Sequence, residues 1–230
     1  MAHIISRRTV FFLFSLTVAT AIACDAPTSE DKKPSVAPSP SVESNAPRVV
    51  FLGDSLSAGL GLAEREAFPA VTGDLLQTAG MRINVVNAGV SGDTSAGGLS
   101  RLDWVLGPGA DILVVELGGN DALRGQPLEN TESNLRQIVR RGREKGARVL
   151  LLGMDIPSNY GSDYTYAFAE MYRRIAEEEG AIMVPGFVQE VGMDPTLMQA
   201  DGLHPTAEGH RRLAGILAPH IALLLDEMPK

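Results

Sequence analysis

The chain has 230 residues with 44% hydrophobic content and 24 glycines, enough for one core of ordinary density and, by length, a single catalytic domain. Its 28 acidic against 20 basic residues give a net charge of −8, a field that repels phosphate backbones and argues against nucleic acid as a partner. Cys24 is the only cysteine, which excludes an intramolecular disulfide, so stability outside the cytoplasm must come from packing.

Residues 1–23 read as an export signal peptide, with Arg7 and Arg8 ahead of an apolar run over 10–23. That run is too short to favour a membrane-spanning helix. Cys24 follows Ala21-Ile22-Ala23, an arrangement that resembles a bacterial lipobox with alanine where leucine is commonest. Lipidation of Cys24 would anchor the protein to a membrane; ordinary cleavage nearby would instead leave a soluble secreted protein with one free thiol. Ser6-Arg7-Arg8-Thr9 also looks like a twin-arginine start, although Val10 stands where that pattern prefers phenylalanine. The expected location is therefore outside the cytoplasm, as a periplasmic protein or membrane-anchored lipoprotein of a bacterium. Loss of Arg7 and Arg8 with the leader leaves 18 basic against 28 acidic residues, a charge of −10.

Residues 24–47 are rich in Pro, Ser and Ala and nearly devoid of large apolar side chains. They cannot bury enough surface to offset the entropy of ordering and read as a disordered tether. The folded domain is expected over 48–230. Short Val/Ile/Leu-rich runs at 49–52, 83–88, 112–116, 149–153 and 181–184 predict strands. Helix-length segments at 68–79, 95–106, 131–145, 164–179 and 207–225 alternate with them. Buried strands separated by helices give an α/β class: a three-layer α/β/α sandwich around a central, mainly parallel five-stranded sheet. In such sheets ligands bind beyond the carboxyl ends of the strands. Ser55 follows the first strand, Ser91-Gly92-Asp93 the second and Gly118-Gly119-Asn120 the third, so three polar turns share one rim.

A serine hydroxyl needs a base to accept its proton during attack, and histidine suits that task near neutral pH. Of His204, His210 and His220, only His204 has an acid three residues earlier, Asp201, and Pro205 keeps it off the last helix. Asp201 would then fix the imidazole tautomer and stabilise the imidazolium. A tetrahedral intermediate also needs donors for its oxyanion. The backbone N–H groups of Ser55 and Gly92 and the side-chain amide of Asn120 are the candidates.

Gly53-Asp54-Ser55-Leu56, Gly92 within Ser91-Gly92-Asp93-Thr94, Gly119-Asn120-Asp121 and Asp201-Gly202-Leu203-His204-Pro205 resemble, in order and spacing, the four blocks of the SGNH or GDSL hydrolases. The nearest likeness is to their bacterial periplasmic multifunctional thioesterase, protease and lysophospholipase branch, often labelled arylesterase. The resemblance implies a flavodoxin-like SGNH fold, with Ser55 as nucleophile, His204 as base, Asp201 as its orienting acid, and Ser55, Gly92 and Asn120 forming the oxyanion hole. It also implies substrate contact from Leu123 and Arg124 in the loop after Asn120, and from Tyr160 in Asn159-Tyr160-Gly161. The expected activity is hydrolysis of short to medium acyl esters or thioesters through an acyl-enzyme on Ser55. A carbohydrate O-deacetylase and a catalytically inactive tethered binding module are the alternatives.

Several residues carry blander expectations. Asp54 should hold its turn through side-chain to backbone bonds, and Asp93 and Asp121 should brace the donor loops. His210 and His220 should lie on the last helix as surface or partly buried residues, and Trp104 should serve packing. Glu177-Glu178-Glu179 read as a solvated helix end. No His/Asp/Glu cluster has metal-ligand spacing and no nucleotide fingerprint is complete, so neither metal nor cofactor is expected, and the partner is a small acyl ester or thioester.

Overall fold

The computed structural model describes residues 46–228. The expected leader, Cys24 and nearly all of the expected tether lie outside them. Five strands, β1 (Arg48–Gly53), β2 (Asn84–Gly89), β3 (Ile112–Glu116), β4 (Arg148–Leu152) and β5 (Ile182–Val184), form one sheet in the order β2-β1-β3-β4-β5. All four pairings are parallel. Eight α-helical segments connect or follow them: α1 (Ser55–Ala58), α2 (Phe68–Thr78), α3 (Ser95–Leu106), α4 (Gly119–Leu123), α5 (Leu128–Glu144), α6 (Ser162–Glu179), α7 (Gln189–Gly192) and α8 (Ala207–Asp226). The expected strand and long-helix positions all recur, with ends shifted by a few residues.

The alternation of side chains along a strand divides the core into two layers. Val50, Leu52, Leu113, Val115, Val149 and Leu151 point to the face covered by α3, α5 and α6. Val49, Phe51, Ile112, Val114, Leu150 and Leu152 point to the face covered by α2 and α8. With both faces covered, the three inner strands need apolar residues at nearly every position, which is why they read as continuous runs instead of alternating ones.

Two expectations fail on helix phase. Trp104 is 81% exposed, because the buried stripe of α3 runs through Gly98, Leu102 and Val105 and leaves residue 104 on the opposite side. His210 is 1% exposed, because it continues the inner stripe of α8 formed by Leu213, Ala214, Leu217, Ile221 and Leu224. Its Nδ1 accepts the Phe68 N–H at 3.0 Å, and its ring stacks on that of Phe68 at 6.1 Å. The imidazole thus ties the start of α8 to the start of α2. Glu179 is not merely solvated either, since it pairs with Arg140 and Arg136 of α5.

Burial holds the His210 imidazole neutral, with a pKa lowered from 6.5 to about 4. The unfolded chain therefore takes up this proton first as pH falls. The contribution is complete above pH 6.5 and is lost between 6.5 and about 4, an effect of about 3 kcal/mol. Thermal unfolding across that window should show the loss in the wild type. His210→Gln, a neutral acceptor at the same place, should flatten the curve.

Candidate active site

The parallel register sets the carboxyl ends of β1, β2 and β3 side by side, with Gly53 opposite both Gly89 and Glu116. Beyond Gly53 the chain turns sharply into α1. Asp54 caps this turn by accepting the Leu56 N–H on Oδ1 at 3.0 Å. Glu116, at the end of β3, receives three bonds on Oε2, from Asp54 N at 3.2 Å, Ser57 N at 3.1 Å and Ser57 Oγ at 2.7 Å. Arg101 fastens the neighbouring edge, donating to Gly53 O at 3.0 Å and Ala88 O at 2.6 Å while paired with Asp93 at 2.7 Å. The backbone at Ser55 is held from three directions.

His204 arrives from the far end of the chain. Its loop is closed by a bridge between Met198 and Pro205 and by Gln199, whose N–H donates to His204 O at 2.7 Å. The Gln199 side chain donates to Leu60 O at 2.8 Å, just past the Ser55 turn. This lashing places His204 Nε2 2.8 Å from Ser55 Oγ across 149 sequence positions. On the other side of the ring, Nδ1 lies 2.6 Å from Asp201 Oδ2. Asp201 Oδ1 accepts the N–H groups of Leu203 at 2.9 Å and His204 at 3.0 Å. The imidazole first, then these two backbone bonds, hold the Asp201 carboxyl down at about 2. Asp201 is therefore ionised throughout the range in which an imidazole works as a base.

Asn120 sits in the first turn of α4, and its Nδ2 donates to Asp54 Oδ2 at 2.9 Å. Gly92 adopts φ +80°, a left-handed conformation that suits glycine. Its carbonyl accepts from Arg124 Nη2 at 2.7 Å. Neither the Ser55 N–H nor the Gly92 N–H donates to a backbone acceptor among the described residues. Asp121 braces α3 and α5 by accepting Ser95 N and Oγ at 2.8 and 2.6 Å and Thr131 Oγ1 at 3.3 Å.

Ser55, His204, Gly92 and Asn120 line one cleft of about 360 Å³. Its walls are largely apolar, built from Leu56, Leu60, Leu123, Met154, Ile156 and Val188. Of the three expected substrate contacts, only Leu123 faces this cleft. Arg124 borders a neighbouring polar depression and reaches back to Gly92, while Tyr160 stacks on Tyr164 at 6.4 Å, away from the cleft wall. Sequence reasoning missed the Met154-Asp155-Ile156-Pro157 segment, which follows β4 onto the rim. The rule that strand carboxyl ends face the ligand would have found it. It also missed Glu116, whose signal was a carboxylate closing an otherwise apolar strand.

The GDSL-like lipase/acylhydrolase family model matches residues 51–212. The chain belongs to this family. It is 42% identical over 181 residues to esterase TesA of Pseudomonas aeruginosa, covering 78% of this chain and 90% of that protein. It is 40% identical over 182 residues to thioesterase 1/protease 1/lysophospholipase L1 of Escherichia coli, covering 79% and 86%. A solved structure of TesA superposes with a TM-score of 0.74 at 41% identity, over 77% of this chain and 99% of that one.

In this GDSL-like protein the α4 turn depends on Gly118, whose φ is +115°. A Cβ there would stand 2.3 Å from Tyr172 Oη, the hydroxyl that donates to Leu117 O at 2.9 Å. Gly118→Ala should destabilise the fold by at least about 1–2 kcal/mol from the backbone alone, measurable as a lower denaturation midpoint. It should also impair turnover by displacing Asn120.

Proposed function

We propose that this chain is an exported serine esterase or thioesterase that cleaves short to medium acyl groups through an acyl-enzyme on Ser55. The 2.8 Å approach of His204 Nε2 to Ser55 Oγ carries this reading. Ser55 Oγ attacks the acyl carbon while His204 Nε2 takes its proton. Asp201, already ionised, accepts from Nδ1–H and stabilises the imidazolium. The oxyanion is met by the N–H groups of Ser55 and Gly92 and by the Asn120 amide. Collapse expels the alcohol or thiol with the proton from His204, and a water activated by the same imidazole then releases the acid.

The apolar walls supplied by Leu56, Leu60, Leu123, Met154, Ile156 and Val188 support acyl chains over sugars, since a cleft of this kind gains from desolvating methylenes and leaves sugar hydroxyls unpaired. The relatives named esterase and thioesterase/lysophospholipase support the same substrate class. A fluorophosphonate probe should label Ser55, and Ser55→Ala should abolish both labelling and turnover. Asn120→Ala should lower kcat by about 10²–10³. Activity confined to acetylated sugars, in a panel that includes p-nitrophenyl acyl esters, would favour a carbohydrate deacetylase. Absence of any adduct on Ser55 in folded protein would favour a tethered binding module.

The same reading takes 1–23 as a leader, 24–47 as a tether starting at a lipidated Cys24, and 48–230 as the catalytic domain. It rests on the basic and apolar order of the leader and on the composition of the tether. Metabolic labelling with a fatty acid should mark the full-length protein and disappear in Cys24→Ala. Unlabelled wild type with a processed, free N-terminus would point to plain secretion.

A further inference from the structure

Glu116 is fully buried at the end of β3 and takes no part in the proton transfers above. Oε2 accepts the three bonds from the nucleophile turn, whereas Oε1 is shut away from solvent with no donor to satisfy it. The Asp54 carboxyl, also buried, stands beside that of Glu116, the two residues being joined by the Asp54 N–H on Oε2 at 3.2 Å. Both oxygens of Asp54 are committed as acceptors, Oδ1 to Leu56 N and Oδ2 to Asn120 Nδ2. Two ionised carboxylates side by side in a buried site repel strongly, and an unpaired charge there is costly.

The surrounding charges do not relieve this. From α3, Arg101 is spent on Asp93 and two carbonyls. From α6, Tyr172 directs its hydroxyl to Leu117 O. On α4, Asp121 adds a further carboxylate, bound to Ser95 and Thr131. His204, from the loop before α8, acts on Asp54 and is engaged by Ser55 and Asp201. No cation pairs with Glu116 among the described residues.

We propose that Glu116 is a neutral carboxylic acid that donates its proton to Asp54, and that this pair is the positioning device for both Asn120 and the Ser55 turn. A proton on Glu116 converts the carboxyl contact from repulsion into a strong hydrogen bond. It leaves Oε2 free to receive its three donors and leaves Asp54 ionised to grip the Asn120 amide. Burial first, and then the charge of Asp54, push the Glu116 carboxyl well above the ordinary carboxylate range. Glu116 is thus a positioning residue whose effect on turnover passes through Asp54 and Asn120. Only this kinetic consequence rests on Asn120 being an oxyanion donor.

As pH rises through the raised value, Glu116 loses its proton, the pair repels and the hold on Asn120 weakens. The proton sets an alkaline limit on turnover. Glu116→Gln keeps an acceptor for the three donors and an N–H for Asp54 but cannot ionise. Infrared difference spectra of the resting protein at neutral pH should show a protonated carboxyl C=O stretch that vanishes in Glu116→Gln. The same variant should fold, keep kcat within about threefold and lose part of the alkaline decline. Glu116→Ala should fall by about 10²-fold, the cost of a misplaced group. Lack of the carboxyl band, or a Gln variant as impaired as the Ala variant, would overturn the proposal. The infrared arm needs no turnover, so it fails or succeeds apart from the reading of Ser55 and Asn120.

Discussion

Everything at the rim depends on one register: Gly53 of β1 lies level with Gly89 of β2 on one side and Glu116 of β3 on the other. Three loops leave the sheet from that line, carrying Ser55, Gly92 and Asn120. A parallel sheet makes this convergence unavoidable, because every strand delivers its following loop to the same edge. A slip of one residue in β1 would exchange its two core faces, moving Phe51 and Val49 to the layer that now takes Leu52 and Val50. Burial on both faces therefore fixes the site as well as the core.

The rim differs from the core in how it is stabilised. The two layers around the sheet are apolar and nondirectional, whereas the strand ends are held by buried hydrogen bonds with specified partners. Asp54, Glu116 and Asp121 each accept from groups belonging to another segment of the chain. Burying three carboxyl groups opposes folding on solvation grounds. Their retention makes sense as orientation, since a donor or nucleophile displaced by an ångström loses much of its effect. Asp201 is set differently: it is exposed, and the His204 imidazole and two backbone N–H groups favour its ionised form.

The second anchor is the loop from Met198 to Pro205. Ser55, Gly92 and Asn120 are set by the sheet, but His204 is delivered by a segment that belongs to no strand. Gln199 solves this by bonding both Leu60 O and Pro205 O, joining the histidine loop directly to the end of the Ser55 turn. The hydrophobic start of α8, with Leu213 and Ala214 packed under the sheet, keeps the loop from lifting away. His204 and His210 illustrate the division: one imidazole is presented to the cleft by a loop, and the other, six residues on, is a core residue that joins two helices.

By itself, the sequence determined the alternation of strands and helices, the parallel layered class and the four polar blocks, because those depend on local composition and on rules of chain direction. Val49 to Leu52 and Ile112 to Val115 announce buried strands wherever they occur, and an aspartate three residues before a histidine announces a local pair. Only the tertiary structure decided which helix faces turn inward, so that Trp104 is exposed and His210 buried. It alone decided that Met154 and Ile156 wall the cleft while Tyr160 does not, and that Glu116 meets Asp54 across 62 positions. Those outcomes follow from how separate elements pack against one another, and burial, charge pairing and shared protons are properties of that packing, absent from any single stretch of chain.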